Sequence, residues 1–470
     1  MSDTNAARIT AIHQRLNPHP KTPIRADSSL YVTLYNERND PVRAMAKRIE
    51  RAQLDSVQLL SGCRGSGKTT ELHRLRLLLE KDGYIVFVTD IIDFLNPAQP
   101  IAIEELLIVL GAALAESASK ALDSHPAKEN IANRFINYLK NTNIELTELG
   151  LDLPGAKLAD WLTGFIFKFK ATLRTTDTFR QKINTLLAGR TATVASALQQ
   201  FAKDITDELT ALKGGNKGLV FLVDSLERIQ NPGALEADVM KSVEHLFSTH
   251  RELLRIENVH LVYTVPPWLR YLAANAAPLE LMIPCVKLWD RDPETGERQW
   301  HEDGWRIMRE VIAKRLHPDS LADVFGPPDQ EGRHALLDKI IENCGGHFRD
   351  LLRLATDILP IDDTLPTTAD DVDAAVANLA RHYTLADNNA EWLKKIADTG
   401  EECMLDDKPD TVARFTRFLD NHSVLYFRNH RDWYDVHPVI LPEVERTVRR
   451  LERERQLAAA AAHPPLAPLS

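Results

Sequence analysis

The stretch "VQLLSGCRGSGKTTELHRL", Val57 to Leu75, constrains this chain more than any other. A mostly apolar run enters a turn with three glycines, and the turn leads into a lysine, two threonines and a segment with helical spacing. Gly62-Cys63-Arg64-Gly65-Ser66-Gly67-Lys68-Thr69 fits G-x-x-x-x-G-K-[ST] without a mismatch. Glycines let the backbone turn so that successive N–H groups point inward, and the helix that follows directs its positive end at the same place. Such a turn suits a phosphate. In this pattern Lys68 reaches the β and γ phosphates, the Thr69 hydroxyl ligates Mg²⁺, and Thr70 lies beside them at the helix start.

A metal-bound triphosphate also requires a carboxylate at the tip of a neighbouring strand. "GLVFLVDSLERIQ" supplies one, with five apolar residues running into Asp224 as a second Mg²⁺ ligand. The plainer alternative is a buried strand that happens to end in a capping aspartate. Hydrolysis needs a group that orients or deprotonates water; Ser225 follows the aspartate directly, so the candidate is Glu227, and slow turnover is expected. In "VHLVYTV" Thr264 sits at a strand tip, where its hydroxyl either meets the γ phosphate or the attacking water, or is satisfied locally. In "NCGGHFRDLLRLATDIL" Arg349 falls in the first turn of a helix, against the macrodipole. A nucleotide phosphate would offset that cost; so would Asp350 or a surface carboxylate.

Composition sets bounds around these motifs. At 470 residues two to four domains are expected, and 44% hydrophobic with 26% charged residues is the balance of a soluble globular protein. A formal net charge of -10 argues against wholesale coating of nucleic acid. Cys63, Cys285, Cys344 and Cys403 are far apart in sequence, with no C-x-x-C pair and no histidine at ligand spacing. Neither a disulfide framework nor a zinc site is expected, and a cytoplasmic protein is. The N-terminus lacks the apolar core of a secretory signal, and the longest apolar runs fall short of the roughly 20 residues of a membrane span, so no membrane association is expected.

Short β-type runs at "VQLLS", "YIVFVTD", "GLVFLVD", "VHLVYTV" and "LMIPCVKL", separated by helical stretches, predict a parallel α/β sheet. The interval from Ile91 to Lys217 is far longer than a crossover needs and reads as a helical insertion. After Leu288 the β signal stops until "HSVLYFRNHRDWYDVHPVI", which alternates across a polar turn like the hairpin of a winged helix. The expected division is a flexible N-terminal arm (1–27), a P-loop ATPase core (28–290, insertion about 95–217), a helical lid (291–382), a winged-helix domain (383–452) and a disordered tail (453–470).

Taken in this order, the cradle, Asp224, Thr264, the "GGHFR" segment and the terminal winged-helix outline resemble an ATPase of the AAA+/STAND group, near the origin-recognition-type initiators. The resemblance implies ATP or ADP as ligand and makes Arg349, in Gly346-His347-Phe348-Arg349, the lid's sensor arginine. Asp224-Ser225-Leu226-Glu227 is similar to the D-x-x-[DE] form of STAND proteins. Ring-forming members carry an arginine before the fifth strand, and "RYLAANAAPLELMIP" has Ala-Ala-Pro there. In many STAND switches a winged-helix histidine touches the ADP β phosphate. His437 sits comparably, although a histidine satisfied within the domain core explains it as well.

The resemblance thus implies a slowly hydrolysing switch that controls a separately encoded effector or sensor protein, with homo-oligomers possible and a role in antiphage defence. The alternative is an initiator- or transposition-type ATPase that binds DNA through its winged helix, with Arg428, His430 and Arg431 at the wing and Arg446, Arg449, Arg450, Arg453 and Arg455 nearby.

Overall fold

In a computed structural model of the chain, the structure describes residues 2–17, 24–35, 39–122, 125, 127–142, 158–213, 217–230, 233–272, 280–292, 295–359, 364–401, 409–428 and 431–462. It forms two compact units. Asn36–Ser61 and Lys68–Ile283 make one; Met1–Tyr35, Gly62–Gly67 and Pro284–Ser470 make the other.

The first unit is the α/β body. Its sheet has five strands, β1 (Ser56–Gly62), β2 (Ile85–Asp90), β3 (Leu219–Asp224), β4 (Val259–Thr264) and β5 (Glu280–Ile283), in the order β2-β3-β4-β1-β5. The registered pairings β1–β4, β2–β3 and β3–β4 are all parallel. β3 and β4 are buried throughout, and for that reason their sequences read as unbroken apolar runs. The fold class is therefore the expected one, an α/β parallel sheet of the P-loop NTPase type.

Helix α1 (Ser2–Leu16) belongs to the other unit; α2 (Pro41–Ala52) and α3 (Lys68–Lys81) flank the sheet. The Asp-Pro signal is realised: Asp40 caps α2 by accepting from the Val42 and Arg43 amides at 3.0 and 3.2 Å. Arg74 of α3 then grips Asp40 with two hydrogen bonds of 2.5 and 2.6 Å and reaches buried Glu71 at 2.8 Å. This fork fixes α3, whose first residue is Lys68.

Between β2 and β3 the described residues form five α-helices, α4 (Ile103–Leu122), α5 (Lys128–Asn141), α6 (Leu158–Thr175), α7 (Asp177–Leu187) and α8 (Thr191–Lys213). The apolar run in α4 is core, packed on α5 to α8, and no described helix is long and apolar enough to cross a membrane. One position in α4 is unusually tight. A Cβ on Gly111 would lie 2.4 Å from the Tyr138 ring, whose hydroxyl donates to the Leu107 carbonyl at 3.0 Å. Two short helices, α9 (Glu236–Ser248) and α10 (Leu269–Leu272), complete this unit.

The second unit opens with α1 (Ser2–Leu16), which corrects the expected flexible arm. Ile9, Ile12 and Leu16 repeat at helical spacing and are buried against α11 (Glu302–Leu316) and α14 (Phe348–Asp357), while Arg8 and Arg15 both hold Asp319. The other helices are α12 (Leu321–Phe325), α13 (Ala335–Cys344), α15 (Ala369–Ala380), α16 (Asp387–Thr399), α17 (Pro409–Asp420) and α18 (Leu441–Ala462). Beyond Leu288 the β signal does not stop as expected. β6 (Trp289–Arg291) pairs antiparallel with β7 (Arg298–Trp300), supported by Trp300 stacked on Trp305 at 4.0 Å. Strands of three residues amid charges leave no periodicity to read.

β8 (Val424–Arg428) and β9 (Asp432–Val436) form the expected hairpin after α16 and α17. α18 continues helically to Ala462, well into the expected tail; residues 463–470, like His430 and Cys403, lie outside the described residues.

The packing at Gly111 yields a prediction. Glycine to alanine inside a helix ordinarily stabilises, but Gly111→Ala should destabilise by about 1–3 kcal/mol through overpacking against Tyr138. A denaturant melt of the variant that matches or exceeds wild type would refute this packing.

Candidate nucleotide site

In the α/β unit the chemistry gathers at the tips of adjacent strands. Asp224 ends β3 and Thr264 ends β4, both buried. The backbone after Asp224 passes through Ser225 in the left-handed region, at φ 75°, and a short 3₁₀ turn, Leu226–Arg228, brings Glu227 back. The Thr264 hydroxyl lies 3.0 Å from Asp224 Oδ1 and 2.7 Å from Glu227 Oε2, and accepts from the Ser225 amide at 2.6 Å. With one proton to give, it serves one carboxylate at a time. Thr264 thus takes the local role for its hydroxyl, among the same carboxylates that the sequence assigns to the metal and the water.

Lys68 and Thr69 open α3 in this unit. Lys68 Nζ is buried 3.6 Å from Glu227 Oε1, and Thr69 hydrogen-bonds Asp224. The site also contains a carboxylate that sequence reasoning passes over. Asp90 ends β2 opposite Asp224 in the register, after an apolar run of its own that carries the same signal as β3. The Asp224 carboxyl is pushed up to about 7, chiefly by burial and then by the charges of Glu227 and Asp90; hydrogen bonds from Thr69 and Thr264 act in the other direction. Burial also raises Asp90. Crowded buried carboxylates of this kind are stabilised either by protons or by a cation. Thr69 and Asp224 offer oxygen donors of the type Mg²⁺ prefers.

The glycine turn itself, Gly62–Gly67, packs within the second unit. Gly65 adopts φ 97°, and a Cβ there would lie 2.8 Å from Arg349 Cβ and 2.9 Å from His347 Nε2, so only glycine fits. The turn carries an orphan that suits a phosphate: Ser66 Oγ is buried with no hydrogen-bond partner. Cys63 is buried and hydrogen-bonds Cys285, which together with burial raises the Cys285 thiol well above its ordinary pKa. The Arg64 side chain is exposed, but its carbonyl is held by His347 Nε2 at 2.9 Å. Thr70 lies on the first turn of α3, half-buried.

Sequence reasoning gave His347 no role of its own and named Asp350 only as a carboxylate that could offset Arg349. His347 Nδ1 lies 2.6 Å from Asp350 Oδ2, and Tyr383 donates to the same oxygen at 3.3 Å. His437, fully buried, has Nε2 3.3 Å from that oxygen, an ion-pair distance whose geometry falls short of a hydrogen bond. Its Nδ1 faces the Val439 amide at 3.4 Å. Burial alone would raise the Asp350 pKa, but His347 and His437 outweigh it and hold the carboxyl well below the carboxylate range. The histidine expected to touch a phosphate therefore has a carboxylate of α14 as its neighbour. Arg349, expected as a phosphate sensor, lies on the first turn of α14 against Gly65. Arg270 pairs with Glu280 at 3.6 Å.

No family model and no curated protein matches the chain. Among solved structures it is similar to a Walker-type ATPase of Pyrococcus abyssi, at 12% identity and TM-score 0.41 over 92% of this chain and 99% of that one. It is also similar to the Aeropyrum pernix ORC2 protein in ADPNP–ADP complexes, at 11% identity and TM-score 0.39 over 94% and 98%. A third likeness is to Drosophila ORC bound to DNA, at 12% identity and TM-score 0.34 over 94% and 92%. These scores are too low to carry an argument about activity, and the fold class rests on the strand order and register.

The raised Asp224 pKa predicts a pH dependence. Its folded value lies above its unfolded one, so the native state keeps a proton that the unfolded chain releases. The resulting stability is complete below the unfolded value near 3.8 and is lost as pH rises through about 7. In chelator, Tm should drop progressively between about pH 4 and about pH 7 and level off above, and Asp224→Asn should flatten that drop. A variant that keeps the wild-type slope would show that Asp224 does not carry it.

Proposed function

We propose that this chain is a Mg²⁺-dependent ATP-binding protein that hydrolyses slowly and works as a switch. The observation that carries the reading is the tight seat of the glycine turn: Gly65 has no room for a Cβ beside Arg349 and His347, and the Arg64 carbonyl is bound by His347. A phosphate loop held in this way by the lid helix is placed to register nucleotide as a change in lid contacts. Lys68 supplies charge to the β and γ phosphates, Thr69 and Asp224 hold Mg²⁺, Glu227 orients water, and Arg349 senses the phosphate through the lid. Mg²⁺ supplies charge neutralisation at the phosphates. His437 acts on this arrangement through Asp350 rather than alone. The output is a separately encoded effector or sensor protein.

A second reading, DNA binding through the β8–β9 hairpin and α18, is favoured by the arginines there. Set against it, Arg428, Arg446, Arg450 and Arg455 face Asp432, Glu443, Asp387 and Glu391 at 3.4, 2.7, 2.5 and 2.5 Å. Each such carboxylate offsets charge that a DNA phosphate would otherwise meet.

By calorimetry, Lys68→Ala should weaken ATP binding by about tenfold or more, a loss of about 1.4 kcal/mol. Glu227→Gln should bind ATP as wild type does and release no phosphate. Undiminished affinity in the lysine variant would remove the nucleotide reading; undiminished turnover in the glutamine variant would remove the assigned role of Glu227. Fluorescence anisotropy with a duplex at low salt should give no binding. Binding that weakens steeply with added salt would put the DNA reading first.

A further inference from the structure

The cluster of buried His347 and Asp350 with half-buried His422 remains unexplained by nucleotide chemistry. One ligand-type atom from each lies within 4.8 Å of the others. All three residues lie in the second unit, His347 and Asp350 at the start of α14 and His422 in the turn between α17 and β8.

Hydrogen-bond accounting shows what the cluster lacks. A carbonyl oxygen only accepts, so His347 Nε2, 2.9 Å from the Arg64 carbonyl, carries a hydrogen. In the neutral ring Nδ1 is then a lone pair, and it points at a carboxylate oxygen 2.6 Å away. Two lone pairs at that distance require a cation between them, either a proton or a metal ion. The third member favours the metal. His422 Nε2 is buried with no hydrogen-bond partner, and its ring lies 4.5 Å from that of His347. His422 also has φ 62°, a left-handed position after a helix end that glycine or asparagine ordinarily fills.

We propose that His347 Nδ1, Asp350 Oδ2 and His422 Nε2 form a binding site for a divalent transition-metal ion of the zinc class. Two imidazoles and one carboxylate are a recurrent zinc donor set, with a fourth position left for water or another ligand. The surroundings match what such ligands need. The other nitrogen of His347 donates to a backbone carbonyl, which fixes the ring, and Asp350 is oriented by Tyr383. Ligands about 2 Å from a common ion sit roughly 3.3 Å apart, so the 2.6 Å approach of His347 to Asp350 opens by some tenths of an ångström on binding. Because His347 holds the Arg64 carbonyl, the ion would stiffen the glycine turn.

The test uses the untagged full chain, stripped with chelator and titrated with Zn²⁺ alone, without nucleotide, so its failure leaves the proposed function untouched. Calorimetry and elemental analysis should show one zinc per chain, undisplaced by excess Mg²⁺. Co²⁺ in its place should give the visible bands of a four- or five-coordinate site without a thiolate charge-transfer band. His422→Asn, which suits the left-handed backbone, and His347→Gln, which keeps a donor for the Arg64 carbonyl, should each weaken binding by about tenfold or more while retaining the wild-type circular dichroism. Three results would overturn the site: wild type binding no better than folded His422→Asn, displacement by Mg²⁺, or a thiolate band. The first would assign a proton to the gap between His347 and Asp350.

Discussion

Asp350 is a carboxylate buried among two histidines and a tyrosine, and the second unit is arranged around it. A charge in that position is costly unless its lone pairs are met. His347 meets one directly and turns its other nitrogen to the backbone of the glycine turn. His437 approaches the same oxygen from the residues after β9. One buried anion thus links α14, the residues after β9 and, through His347, the glycine turn.

The α/β unit has a matching concentration of charge with the opposite need. Asp224, Glu227 and Asp90 stand at the ends of adjacent parallel strands or just beyond, and Lys68, 3.6 Å from Glu227, brings positive charge to them. Burial and crowding with Glu227 and Asp90 push Asp224 up to about 7, an environment that a proton or a bound cation would relieve. The Thr264 hydroxyl lies between Asp224 and Glu227, within hydrogen-bond reach of both. A bound metal would redistribute that single hydroxyl proton as well as the carboxylate charges.

Some of this was legible in the sequence. The apolar runs ending in Asp224 and Thr264 announced their strands because buried parallel strands tolerate no polar face, and the glycine pattern announced its turn because few other residues reach those backbone angles. The helical insertion followed from a gap too long for a crossover. Helix α1 was missed because Ile9, Ile12 and Leu16 are spread thinly among polar residues, and the β6–β7 hairpin because its strands are too short to show a period. His347 was quoted only as part of a motif, and its distant neighbours, the Arg64 carbonyl and His422, were invisible.

Sequence alone therefore determined the elements whose signal is local: periodicity along strands and helices, the glycine turn, and the carboxylate and lysine that go with it. Tertiary structure decided which of them meet. His347 and His422 are far apart in the chain, yet their rings lie 4.5 Å apart, and Asp90 faces Asp224 across a helical insertion. The physical reason is that pairing a buried charge depends on what the fold brings within a few ångströms, and contacts between residues so distant along the chain leave no period for a single sequence to display.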